Sequence, residues 1–514
     1  MALQGIPTGS PIPRRARQFK PAAGRGLSTG SLRPVVLVAN KLASGTEAVE
    51  TLGAPIQSLA DCYTRFGQRS EMAWKYRAYV AVDPFALIYG VAVAEGGGAA
   101  ASTVSYTFAT TASVSTVVNV DSCKGRLQFQ VTAGDAPATQ VINAVAAINA
   151  DPDLPFSAAI NGSSAAVLDI TTYQKGPRSK YWILQLRITS DDPTQATTIT
   201  KGSVTAGTTA DSVANAIVAI DQSEFTYHSL ACTAVSSVTS SDGGVGQYAA
   251  YIASSVAPVG NKSQMMIIGV DGTSAQATAV MQSAVVNSVF SHCYRVKNND
   301  WHPAMIAAHH TAIHHVTEVN YAAANLTNWA ENSTLGQVYR VPDPFNKADR
   351  PTPTQETTDL QGGVSTVGFH ADGSAYIVRS ITGYSWTGSS STSDFRAREG
   401  HYPSVLFKFW EDLEAQLITQ NQPNVAADPP AAGKPVAGFM YPRGVKSIAN
   451  TLIAAMTRAY QDGKALLDPS VLKDMLRATN VDLSAAGWEL DVAIAAVRHN
   501  LFDDTVISDV SPAY

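Results

Sequence analysis

Apolar positions change their spacing several times along the chain, and each change marks an element. Leu32 to Val38 is the first segment with the apolar density of a buried strand. Pro55 to Phe66 then places Ile56, Leu59, Ala60 and Tyr63 on one helical face. Tyr76 to Val82 alternates and predicts a strand, as does Phe85 to Val93. Helix and strand signals in alternation predict an α/β opening.

Glu95 to Ala101 breaks this texture with Gly96, Gly97 and Gly98 among alanines, the composition of a linker. Beyond it, Thr103 to Phe108, Val114 to Val120 and Arg126 to Val131 are rich in Val, Thr and aromatic residues and predict strands. Ala138 to Ala150 gathers Val141, Ile142, Val145 and Ile148 into an amphipathic helix that Asp151-Pro152 stops. Further strands are expected near Ala165 to Thr171 and Tyr181 to Ile188, on either side of Gly176-Pro177. Residues 102–206 are therefore expected to form a β-rich unit inserted through flexible linkers.

The α/β texture resumes at Asp211. Val213 to Ile220 is helical, Phe225 to Cys232 and Met265 to Val270 are strands, Ser274 to Asn287 is helical, and a long helix runs from Pro303 to about Val319. Val364 to Phe369 and Ala375 to Ile381 flank Asp372-Gly373, a hairpin signal. Helical patterns follow at Tyr402 to Thr419, Val445 to Tyr460 and Pro469 to Thr479, then strand-like pieces at Trp488 to Val497 and Thr505 to Val510. The fold class expected is a multidomain α+β or α/β protein. Residues 34–101 and 207–350 form its α/β parts, 102–206 its insertion and 351–502 a C-terminal domain, with terminal segments at 1–33 and 503–514.

Composition narrows the function. The 514 residues carry 15% charged side chains, against roughly 25% in typical soluble proteins, and 45% hydrophobic ones. So dilute a surface charge fits a protein covered by neighbours, and equally a Ser/Thr-rich β surface. A net charge of −5 gives no basic field, so direct nucleic-acid binding is not expected. No apolar run is long enough to span a bilayer, and no apolar stretch follows Arg14, Arg15 and Arg17 to make a secretory signal, so neither membrane insertion nor secretion is expected. Cytoplasmic synthesis is the expectation.

Candidate chemistry is sparse. The four cysteines, Cys62, Cys123, Cys232 and Cys293, have no C-x-x-C spacing and are expected as reduced, mostly buried thiols. Cys123, in the polar turn Val120 to Gly125, is the one expected to face outward as a possible cross-linking thiol between subunits. His309, His310, His314 and His315 share one helix, and His310 with His314 has an i, i+4 spacing that zinc can use. Without H-E-x-x-H, packing and hydrogen bonding is the favoured role for them. No phosphate-binding Gly-Lys-Ser/Thr turn and no G-x-S-x-G elbow occurs. Catalytic residues, cofactors and metals are thus expected to be absent.

The two ends contrast. Arg14, Arg15, Arg17, Lys20 and Arg25 lie in a Pro/Gly-rich segment with no acidic residue before Glu47, expected as an extended arm. The last residues carry Asp503, Asp504 and Asp509 around Val506 and Ile507, with no basic residue after His499, and are expected as a C-terminal strand. An arm that adds to a neighbour's strand would join copies head to tail, with opposite charges favouring arm-to-tail pairing.

The order of these parts resembles the tail sheath proteins of contractile phages, particularly the Mu-like branch. Leu360 to Tyr384 looks like that family's Gly-centred strand, hairpin and returning R-x-I-T-x-Y strand, here Arg379 to Tyr384. Tyr441-Pro442 through Tyr460 resembles the helix that follows it. The helix Val141 to Ile148, with Asn-Ala-Asp and a Pro-Phe strand after it, looks like the Mu-like variable domain. The Arg-rich arm and the His-rich helix have no counterpart in that pattern. The resemblance implies a structural subunit in the virion's contractile tail. Copies would stack as rings around a tail tube protein, with baseplate and tail terminator proteins as further partners. It implies a tube-facing core from both chain ends, an outward insertion, and contraction that uses no nucleotide. A secreted β-sandwich adhesin and a His-ligated metalloenzyme are the alternatives from other classes.

Overall fold

A computed structural model describes residues 33–384 and 400, except 197, 222–224, 233–243, 257–261, 284–285 and 320–340. It also describes Pro403, Phe407 and short pieces at Asn424–Val425, Phe439–Met440, Val481–Ser484 and Gly487–Leu490. The fold is mixed α/β. In chain order, β1 (Val35–Asn40), α1 (Leu59–Phe66), α2 (Glu71–Val80) and β2 (Ile88–Val93) come first. Then follow β3 (Ala101–Phe108), β4 (Thr116–Ser122), β5 (Gly125–Val131), α3 (Pro137–Ala150), β6 (Phe156–Asn161), β7 (Ser164–Lys175), a 3-10 turn (Pro177–Trp182), β8 (Arg187–Ser190), α4 (Pro193–Ala196) and β9 (Ile199–Lys201). The last stretch holds α5 (Ala214–Asp221), β10 (Tyr227–Cys232), α6 (Val245–Val256), β11 (Met265–Asp271), α7 (Ser274–Met281), β12 (Ser291–Val296), α8 (Pro303–Val319), α9 (Pro353–Gln361), β13 (Ser365–Phe369) and β14 (Ala375–Arg379).

One seven-stranded sheet, ordered β14-β13-β12-β11-β10-β1-β2, forms a body whose pairings are parallel except at the β13–β14 hairpin. Its strands are buried on both faces, which is why Val35–Asn40 and Met265–Asp271 are nearly continuous apolar runs. Odd positions of β1 (Val35, Leu37) pack under α1, α2 and α8, and even positions (Val36, Val38) under α5, α6 and α7. Strand order reverses at β1, with β2 on one side and β10 on the other; α1 and α2 cover one face, α5, α6 and α7 the other, and α8 returns to the first.

Between β2 and β10 the strands from Ala101 to Lys201 pair only with one another, as a four-stranded sheet β6-β7-β3-β9 and a three-stranded sheet β5-β4-β8. α3 spans the gap between them. Its Asn149 exchanges two hydrogen bonds with Ala158 on edge strand β6, at 2.8 and 2.9 Å, and its Asn143 donates to Gln130 on edge strand β5. The apolar core of this inserted unit is continuous with the helix layer of α1, α2 and α8, where Trp74 and Trp182 meet at 6.0 Å.

The structure departs from the sequence expectations at three elements. Of the strand expected at Tyr76 to Val82, the part up to Val80 belongs to helix α2 and the rest to the turn after it. Ser70 Oγ caps the helix by accepting from Ala73 N, and residues all round its circumference are buried, so it shows no clean stripe. Tyr181 to Ile188 begins in the 3-10 turn that Gly176 (φ +85) and Pro177 initiate, and only its end is β8. The segments flanking the insertion are packed against each other. Gly176 N donates to Ala100 O at 2.9 Å, Gly207 N to Ser102 Oγ at 2.8 Å, and a β-carbon on Gly207 would sit 2.4 Å from Ala100 O. Glycine serves close backbone approach there. The expected helices at Val445 to Tyr460 and Pro469 to Thr479, and most of Tyr402 to Thr419, lie outside the described residues.

Candidate functional site

In an open, doubly wound sheet the crevice beyond the carboxyl ends of the strands, at the point where strand order reverses, is the usual ligand position. Here that point lies between β1 and β10. Their pairing runs from Val35↔Tyr227 to Leu37↔Ser229, and just beyond it the Lys75 ammonium bridges Val38 O at 2.9 Å and Ser229 O at 2.7 Å. Lys75 projects from α2 and is fully buried. Burial pulls it down to about 7, against the opposing pull of Glu71.

Arg178, from the 3-10 turn of the inserted unit, closes the rest of the crevice. One guanidinium nitrogen donates to Asn40 Oδ1 at 2.6 Å, Asp211 Oδ2 at 2.7 Å and Glu71 Oε2 at 3.3 Å, and the other to Ala231 O at 3.3 Å. It thus touches the last residue of β1 and the end of β10 together. Glu71 Oε2 also accepts from Asn40 N (3.0 Å) and Gln174 Nε2 (3.2 Å). Burial would raise the Glu71 carboxyl, but Arg178 first, with Lys75 and the Asn40 amide, holds it below its ordinary value. The start of α2 adds its positive dipole end. Asp211 is raised by burial despite Arg178.

His302, at the start of α8, completes the cluster. Its Nδ1 accepts from Ala304 N at 3.0 Å, so Nε2 carries the proton and donates to Arg178 O at 3.0 Å. The ring stacks on Trp182 at 4.1 Å and 17°, and Trp182 Nε1 donates to Gln174 Oε1 at 2.6 Å. The arrangement is a charge-balanced hub that joins body and insertion, with the chain's own side chains in the position a ligand would take. Nearby, a shallow cleft of about 470 Å³ lies between Leu42, Gln68, Arg69, Pro152 and Tyr173. Arg69 spends its donors there on Pro152 O, Asp151 O and Tyr173 OH.

The histidines of α8 are buried and engaged within the fold. His310 donates to Ile306 O at 2.7 Å and stacks on Tyr294 at 3.7 Å. His314 Nε2 meets Tyr294 OH at 2.8 Å, and His315 Nδ1 lies 2.9 Å from Tyr79 OH and 2.8 Å from Asp83 Oδ2. His309 Nδ1 is 3.4 Å from Ala78 O. Among the described residues no three His, Cys, Asp or Glu side chains come together as a metal site.

Cys123 corrects the expectation of an outward thiol. It is 7% exposed, in the β4–β5 turn, and burial with the Asp300 carboxylate nearby pushes the thiol up, so it is not presented for cross-linking. Cys62 and Cys293 are likewise buried. Arg14, Arg15, Arg17, Lys20 and Arg25 of the expected arm lie outside the described residues, as do Asp503, Asp504, Val506, Ile507 and Asp509 of the expected C-terminal strand. No local motif announces the hub, because its members are far apart in sequence: Lys75 and Ser229 are separated by 154 residues and Arg178 and Asn40 by 138. Among the described residues no helix is long and apolar enough to cross a membrane. No family model matches the chain, and no curated protein does.

Proposed function

We propose that this chain is a structural subunit of a contractile tail sheath, which polymerises as stacked rings around an inner tube and drives that tube through a host envelope. The observation that carries the reading is the filled crevice. In a fold that commonly receives ligands at the carboxyl ends of its strands, Arg178 and Lys75 of the chain itself occupy that position. The body's surfaces are then left for contacts with other subunits. The likeness of Leu360 to Tyr384 to the sheath family's hairpin adds to this, and that stretch contributes the β13–β14 hairpin at the sheet edge.

In this reading a tube-facing core is built from both chain ends and the insertion points outward. The basic arm and acidic tail bind neighbouring copies while rigid bodies rotate between two lattice packings. The energy is stored at assembly, so no cofactor takes part. Sedimentation of the full-length chain and of chains lacking residues 1–30 or 503–514 tests it. The full-length chain is expected in large assemblies, and the shortened chains as folded, non-polymerising species. A full-length chain that stays small under all conditions contradicts the proposal, and shortened chains that still assemble contradict the role given to arm and tail.

A further inference from the structure

Among the side chains that join the inserted unit to the body, His302 makes three contacts at once. Its Nδ1 caps α8 by accepting from Ala304 N, its Nε2–H holds Arg178 O, and its ring lies flat on Trp182. Only the neutral ring with the proton on Nε2 satisfies both hydrogen bonds. A second proton can go only to Nδ1, where it would face the Ala304 N–H donor and place a cation at the positive end of α8. We propose that His302 is an acid-sensitive latch. Neutral, it fastens the 3-10 turn Pro177–Trp182 of the inserted unit to the body; protonated, it lets that turn go.

The groups facing the ring agree with this. From α2 come the Glu71 carboxylate and the Lys75 ammonium, and from the 3-10 turn the Arg178 guanidinium. The Tyr181 ring meets it edge-on at 5.9 Å. Two cations oppose protonation and one carboxylate favours it, and that carboxylate is already taken by Arg178, Gln174 and Asn40. Asp211, the remaining acid of the hub, is paired with Arg178 at 2.7 Å. Burial, chiefly, pulls His302 down to about 4. The open turn would restore an ordinary imidazole near 6.5, so acid favours opening across the interval between the two values. This inference stands independently of the assembly reading, since it concerns the single chain.

Hydrogen exchange of the full chain at pH 7.5 and 5.5, corrected for the intrinsic rate, tests it. Opening of residues 177–188 is expected to rise roughly tenfold at the lower pH, the ratio set by one titrating histidine, and to stay more frequent than opening of β11 at both pH values. His302→Asn keeps an acceptor for Ala304 N–H and cannot titrate, so its 177–188 segment is expected to open to the same extent at both pH values. An equal acid response in wild type and variant overturns the latch. If the variant does not fold, the wild type still decides: a 177–188 segment that opens no more often than β11 at pH 5.5 reports global unfolding alone and overturns the proposal as well.

Discussion

The body and the inserted unit solve the same problem of burying sheets in opposite ways. The body buries ionisable groups throughout: His228, His292, His302, His309, His310, His314 and His315 are all at most 1% exposed, beside Glu71, Lys75 and Arg295. The inserted unit, from Ala101 to Lys201, contains no histidine, and its centre is Val118, Val120, Val141, Ile148, Leu168 and Ile170. Their edges differ too. The body's β2 edge is covered by backbone, with Glu50 N donating to Ala92 O and Ile56 N to Ile88 O. Two of the insertion's edges, β6 and β5, receive hydrogen bonds from carboxamides of α3. One core is therefore sensitive to protons and to the loss of single charged partners, and the other to the loss of shape.

The largest expected effect comes from acid. His228 and His292 are held down to about 3 and His302 to about 4, chiefly by burial, and His310 and His314 well below the ordinary value for the same reason. Each folded value lies below the unfolded one of about 6.5, so the unfolded chain binds the proton first. Stability is complete above that pH and falls below it by about 1.4 kcal/mol per histidine per unit until the folded values are reached. Calorimetry should show the melting temperature dropping steeply between pH 6.5 and 4.5. The insertion's amides outside residues 177–188, followed by exchange, should outlast those of the body, and parallel loss would break the comparison.

Arg178→Met should come next. It strands the buried Glu71 and Asp211 carboxylates and is expected to cost about 3–5 kcal/mol, read by urea denaturation. Gly269→Ala probes shape within the body, because a β-carbon there would lie 2.0 Å from Pro303 O and 2.7 Å from Ala307 N, where α8 crosses β11. About 1–3 kcal/mol is expected, with α8 displaced. Asn149→Ala is the smallest. Losing two hydrogen bonds to β6 should cost about 1–2 kcal/mol, and the uncovered edge should show as concentration-dependent association in light scattering.

Much of the fold was legible because its strands and helices carry their own periodicity. The nearly all-apolar β1 and β11, the hairpin at Asp372-Gly373 and helix α3 stand close to where the pattern puts them. β12 was not legible. Its sequence SHCYRV is polar by letter yet buried throughout, because Tyr294 finds His314 and Arg295 finds Asp359, partners distant in sequence. α2 was misleading for a related reason: a helix buried all round loses the stripe that identifies it. The hub was invisible because each member is ordinary alone, and only the reversal of strand order at β1 brings Asn40 and Ala231 to the same guanidinium.

The central claim, that this chain works by packing against copies of itself, is tested most directly by negative-stain electron microscopy of the purified protein, alone and with the tube protein that the proposal implies. Long hollow tubes with helical striations are the predicted result. A monodisperse small particle under both conditions would contradict the account.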